Sequence, residues 1–141
     1  MRHLAHGCIS TQAGRPLGER ILAIAGEIEA LARDWKPAAA GMESIYFWRN
    51  VTSALPVAEV RGAIRLVLGR IGLEVVDFSP TAIKQAVVGT ARADKEQVQS
   101  MVRLLLGLSE DPRPDHAADA LAAAVCRWHH RTDPSLSFPG K

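Results

Sequence analysis

Three sets of residues in this sequence could do chemistry. The first lies in the run Asp111-Pro-Arg-Pro-Asp-His-Ala-Ala-Asp-Ala-Leu-Ala-Ala-Ala, residues 111 to 124. It reads as a proline-punctuated entry into an alanine-rich helix. Pro114 sits where a missing N–H is harmless, and Asp115 lies near the positive end of the helix dipole. His116 and Asp119 are three residues apart, so on a helix they share a face and could ligate a metal or carry a proton. The competing reading is that Asp115 and Asp119 are ordinary first-turn acids that favour the dipole. Ala117, Ala118, Ala120 and Ala122 predict tight packing of this helix against a sheet.

The second set centres on Glu43, inside or at the end of the mostly apolar run from Ala38 to Tyr46. A carboxylate there is expensive to bury unless it is paired or bound to a cation; a salt bridge at a strand end is the plainer alternative. Glu43, His116 and Asp119 come from distant parts of the chain. Carboxylate oxygens suit hard divalent cations such as Mg²⁺, and a histidine among them tolerates Mn²⁺. Two such ions bridged by carboxylates is an arrangement that hydrolyses phosphodiesters.

The third set is cationic and aromatic. Arg49, Lys84, Arg92 and Lys95 fall near the ends of predicted elements, where they could hold phosphates. A solvated surface is the usual fate of any one of them. Tyr46, Phe47 and Trp48 run directly into Arg49 and Asn50. Aromatics beside cations suit stacking on unpaired bases, and a loop anchor or a dimer contact accounts for any single one equally well.

Elements must position these groups. Arg2 to Thr11 alternates loosely and predicts a strand, on which His3 and His6 would face opposite sides and make a poor ligand pair. Arg15 to Asp34 carries Leu17, Ile21, Leu22, Ile24, Ala25, Ile28 and Leu31 at helical spacing. A short buried strand follows over 38 to 46. Ser53 to Gly72 predicts a second long helix with Ser53 as N-cap, Pro56 in its first turn, and Leu55, Val60, Ile64, Val67, Leu68 and Ile71 on its apolar face. Leu73 to Phe78 reads as a strand. Pro80 opens a helix that Gly89 ends. Asp94 caps a helix to about Leu106 with Val98, Met101, Val102 and Leu105 inward, and the helix from Pro114 to Trp128 closes the domain. Strands alternating with helices predict an α/β layer with a largely parallel sheet.

The totals bound the rest. The chain has 141 residues and a formal net charge of +2, enough for one domain but not enough charge to demonstrate a polyanion partner. Cys8 and Cys126 lack metal-like spacing and read as free thiols in a reducing compartment. No leader or membrane-spanning run stands out, so a soluble, cytoplasmic protein without a membrane is expected. Residues 132 to 141 read as a flexible tail behind a domain over 1 to 131; His129 and His130 read as solvated.

Three segments resemble one known family, the RuvC Holliday-junction resolvases. Gly41-Met-Glu-Ser-Ile-Tyr-Phe with Asn50, Ser53-Ala-Leu and Arg61-Gly is similar to its acidic strand and following helix. Ile83-Lys-Gln-Ala-Val-Val-Gly-Thr-Ala-Arg-Ala-Asp-Lys-Glu-Gln-Val-Gln-Ser-Met-Val-Arg resembles its most recognisable block, and His116-Ala-Ala-Asp-Ala-Leu-Ala its C-terminal catalytic helix. Gly7-Cys-Ile-Ser-Thr looks like its third strand. The resemblance implies an RNase H-like fold, a mixed sheet flanked by helices, and a homodimer that resolves four-way DNA junctions by paired symmetric nicks. It implies two Mg²⁺ ions per subunit, with Mn²⁺ possible, and RuvA and RuvB as partners. Glu43, His116 and Asp119 fall on three of the family's four catalytic positions, Tyr46 on its base-stacking aromatic, and Lys84 and Lys95 on its basic positions. The family's first two strands, with an Asp in an Ile-Asp-Pro-Gly-like motif, have no counterpart here, which implies a domain incomplete at its N-terminus. A junction-binding or dimerising module that does not cleave is therefore the alternative.

Overall fold

A computed structural model of the chain describes residues 1–45 and 51–132. Tyr46 and Arg49, and the expected tail beyond 132, lie outside the described residues. The elements run α1 (Leu17–Trp35), β1 (Ala40–Glu43), α2 (Val51–Arg70), β2 (Val75–Phe78), α3 (Pro80–Val88), α4 (Lys95–Leu106) and α5 (Asp115–Thr132). They fall into two compact units. Of the described residues, one unit holds 1–8, 41–44 and 76–132, and the other holds 9–40, 45 and 51–75.

In the first unit the core is Phe78, Ile83, Val87, Ala93, Val98, Val102, Ala122, Ala123, Val125 and Cys126, with α3, α4 and α5 packed on one another. Local chemistry explains why the helices begin and end where they do. The Ser79 hydroxyl accepts from the Ala82 N–H at 3.0 Å with Pro80 at the first helical position, and Gly89 closes α3 at φ +83, a conformation that costs glycine nothing. Asp94 and Gln97 form a reciprocal capping box at the start of α4, with distances of 2.8 and 3.0 Å. The inward residues of α4 are those its periodicity predicts: Val98 and Val102 are buried, and Met101 and Leu105 pack against the core.

Strands β1 and β2 are parallel neighbours. The Ala40 N–H donates to the Glu74 carbonyl and the Ser44 N–H to the Phe78 carbonyl, both at 2.8 Å, so the register advances in the same direction along both strands. Gly41 on β1 lies so close to α5 that a methyl group there would stand 2.7 Å from the Ala123 carbonyl oxygen and 3.0 Å from Arg127 Cβ. The alanine stripe makes this approach possible. Ala117, Ala118, Ala122 and Ala123 are buried, whereas Ala120, expected to join them, faces outward.

In the second unit α1 packs on α2. The buried residues of α1 are Ala25 and Ala32, while Leu22 and Leu31, expected on its inner face, are exposed. Leu55 of α2 is exposed as well. The most buried residues of α1 are therefore small, Ile21, Ile24 and Ile28 are half-buried, and the two leucines expected inward face out.

Three expectations need correction. Residues 2–11 form no strand: the sheet among the described residues is the β1–β2 pair, and this stretch adds no backbone ladder to either edge of it. Freed from strand alternation, His3 and His6 meet, with ring nitrogens 2.9 Å apart. Helix α2 starts at Val51, not at a Ser53 cap, so Pro56 stands in the second turn and removes one helix hydrogen bond. His129 and His130 are half-buried; His129 Nδ1 lies 3.0 Å from the Ala86 carbonyl and His130 stacks on Phe78 at 5.0 Å between ring centroids.

Two predictions follow from this packing. Gly41→Ala pushes a methyl into the α5 backbone and destabilises the protein by about 1–3 kcal/mol; an unchanged urea midpoint would show that β1 and α5 are not in close contact. Burial pushes the Cys126 thiol up to about 11, while Cys8 is exposed. Because the thiolate is the reactive form, a thiol reagent at neutral pH titrates Cys8 alone in the native protein and both cysteines after denaturation. Rapid native labelling of Cys126 would contradict its burial.

Candidate active site

The site is built around the entry to α5. The Arg103 guanidinium near the end of α4 holds Asp111 at 3.0 Å, and Pro112 is buried beneath the turn. These contacts anchor the approach to Pro114, whose carbonyl accepts the Ala117 N–H at 2.8 Å as the helix begins. Arg113, Pro114, Asp115 and His116 line an open depression of about 460 Å³ at this end. His116 is exposed in the first turn, and Asp119 is half-buried one turn on. The spacing puts both on one helical face.

Besides Arg113, which lines the depression, the structure brings Lys95 to this end from another helix. It is the first residue of α4, and its ammonium lies 2.9 Å from Asp115 Oδ2. Gln99, one turn further along α4, donates to the other carboxylate oxygen at 3.3 Å. The Lys95 contact, reinforced by its charge and by the Gln99 hydrogen bond, holds the Asp115 carboxyl below its ordinary range. Its hydrogen bond to Asp115 raises Lys95 in turn, and the charge of Asp119 adds to that rise. Lys84 is half-buried on α3, and Arg92 is exposed in the link between α3 and α4.

Glu43 is the exposed last residue of β1, two residues beyond the close contact of Gly41 with α5. Among the described residues no three His, Cys, Asp or Glu side chains gather closely enough to hold a metal ion. Glu43, His116 and Asp119 thus have donor types that fit a hard divalent cation, but they do not close around one point. Asp115 was expected only as a dipole-favouring acid; its partnership with Lys95 and Gln99 was missed. A signal was available: a lysine at the first helical position sits at the unfavourable end of the dipole and invites a search for an acidic neighbour.

Comparison with known proteins is specific. A family model described as crossover junction endodeoxyribonuclease RuvC matches residues 1–127. The RuvC of Treponema denticola is 48% identical over 124 residues, 88% of this chain and 70% of that protein. The RuvC of Chloroflexus aurantiacus (strain J-10-fl) is 44% identical over 136 residues, 96% of this chain and 82% of that protein. The Thermus thermophilus RuvC structure superposes with a TM-score of 0.87 at 34% identity, covering 93% of this chain and 79% of that one. The same protein in complex with a Holliday junction substrate gives a TM-score of 0.85 at 31% identity, with the same coverage.

The fold is therefore RNase H-like, and the protein is a nuclease by class. Within that class the chain belongs to the RuvC family of crossover junction endodeoxyribonucleases.

The ion pair is open to a direct check. Because Lys95 holds Asp115 ionised, whatever stability that carboxylate contributes is present above the ordinary carboxylate range and lost as pH falls through its depressed pKa. In a carbon-13 titration Asp115 protonates at lower pH than an ordinary carboxyl, and Lys95→Ala moves it back up. An unshifted Asp115 in the parent protein would rule out the contact in solution.

Proposed function

We propose that this protein is a structure-specific endonuclease that resolves four-way DNA junctions by paired symmetric nicks, in recombination and repair. The observation that carries this reading is the RuvC match over residues 1–127, joined to His116 and Asp119 on one face of α5 with Lys95 alongside. That a solved relative was captured on a Holliday junction substrate supports the choice of DNA.

In this reading Glu43, His116 and Asp119, whose donor types suit a hard divalent cation, would hold Mg²⁺, two ions per subunit, with Mn²⁺ able to replace it. Such ions, when bound, would supply polarisation of the attacking water and charge stabilisation at the leaving 3′ oxygen. The chain's own residues do the rest. Glu43 and Asp119 offer carboxylate oxygens, and His116 offers a ring nitrogen that serves as ligand or as proton carrier. Lys84, Arg92 and Lys95 neutralise phosphates, and Tyr46 with Arg49 engages an unpaired base near the branch point. A second copy of the chain brings the second nick; Leu22, Leu31, Leu55 and Leu66, exposed on α1 and α2, supply apolar surface that supports a homodimer. The nuclease domain spans residues 1–131 and acts in the cytoplasm with RuvA and RuvB. No helix among the described residues is long and apolar enough to cross a membrane.

The test is a labelled synthetic four-way junction incubated with the protein and Mg²⁺. Symmetric nicks in opposing strands are expected, abolished by chelation. Glu43→Gln and Asp119→Asn each slow nicking by about 100-fold or more while leaving junction affinity within a few-fold. Junction binding without any nicking by the parent protein would establish the non-cleaving module instead, and a folded protein that ignores junctions would sink both.

A further inference from the structure

Lys95 stands in an electrostatically awkward place. It opens α4, where the unpaired N–H groups carry the positive end of the helix dipole. A lysine side chain is also long and flexible, so an exposed ammonium there would ordinarily swing into solvent. The structure holds it instead. Asp115, the first residue of α5, receives the ammonium on Oδ2 at 2.9 Å. Gln99 grips Oδ1 of the same carboxylate at 3.3 Å, so α4 engages both oxygens and fixes the plane of the carboxyl group. Asp119, one turn along α5, adds its charge to the field at Lys95. An ammonium has three donors, and Asp115 occupies one, which leaves Lys95 able to meet a further anion at the His116–Asp119 end of the helix.

We propose that Asp115 is a positioning residue of this site: braced by Gln99, it holds the Lys95 ammonium beside His116 and Asp119, where the ammonium receives a DNA phosphate. Asp115 acts through Lys95 and does not itself touch the reacting atoms. The proposal rests on the junction-cutting reading, and it extends that reading to a residue the chain's motifs alone do not single out.

The experiment is a double-substitution cycle in the full chain, with Asp115→Ala, Lys95→Ala and the pair together. Each variant is read on a four-way junction in two ways, by affinity and by single-turnover nicking rate. Asp115→Ala is expected to weaken one or both by about two- to fivefold, as for other exposed ion pairs. In the Lys95→Ala background the same substitution has no further effect. Asp115→Asn, which keeps the shape and an acceptor oxygen, falls between, and thermal melting confirms that each variant is folded. Effects that multiply independently in the double variant, or an Asp115→Ala protein equal to the parent on both readouts, overturn the proposal. If the parent binds junctions without cutting them, the cutting reading fails and the affinity cycle alone decides the role of Asp115. If the parent neither binds nor cuts, both fail together.

Discussion

The close seat of Gly41 on the backbone of α5 is the contact on which the first unit depends. A strand can approach a helix this nearly only if both present little beyond main chain, and here glycine faces a helix whose buried stripe is alanine. The contact joins the two elements that carry the acidic and imidazole groups. Glu43 lies two residues from Gly41, and Asp119 lies one turn before Ala123, so each of these carboxylates sits within about 7 Å, along its own element, of the point where the elements touch, with His116 about one turn further along α5. The rest of the unit secures this pairing. Phe78 and Val76 back the sheet from β2, Cys126 and Val125 fill the space beneath, and α3 and α4 close the core around them.

Much of this was legible in the sequence because it is written in local chemistry. Ser79-Pro80 with Gly89, and Asp94 with Gln97, state where α3 and α4 begin and end, and the four inward residues of α4 are those its period selects. What was not legible depends on partners distant in the chain. Residues 2–11 alternate like a strand, but a strand exists only through a neighbour's hydrogen bonds. His129 and His130 look like surface residues beside a tail, and only the fold brings Ala86 and Phe78 to them. On α1 the spacing put Leu22 and Leu31 inward, yet both are exposed and Ala25 and Ala32 are the buried residues, because the period marks a face but not which of its residues the neighbouring helix covers.

The candidate site shows the same division. That His116 and Asp119 share a face follows from the helical repeat alone. That Asp115 belongs with Lys95 and Gln99 depends on the angle between α4 and α5, which spacing does not encode. Nor does spacing tell whether Glu43, His116 and Asp119 converge; each was recognisable as a donor, but among the described residues they do not form a closed metal-holding group. The family resemblance reached further than the residue-by-residue reading, because it carries tertiary information that periodicity lacks.

The openness of this end of α5 has an electrostatic consequence. Lys95 and Asp115 keep more than half of their side-chain surface in water, at 53% and 64%, and His116 is exposed beside them. In that setting the solvent screens each charge, and neither the helix dipole nor the ion pair acts at full strength. A site that must stabilise charge developing on a phosphate gains that power by losing water. The depression at Arg113, Pro114, Asp115 and His116 is too shallow to exclude water unaided, so on the proposed reading the duplex arms of the substrate must form the missing wall. On that reading substrate shape governs more than affinity: DNA that covers this end of α5 lowers the local dielectric and strengthens the attraction of the Lys95 ammonium for a phosphate placed there. Selectivity for a branched structure can arise this way without a single base being read, because an incorrectly shaped DNA leaves the same charges screened.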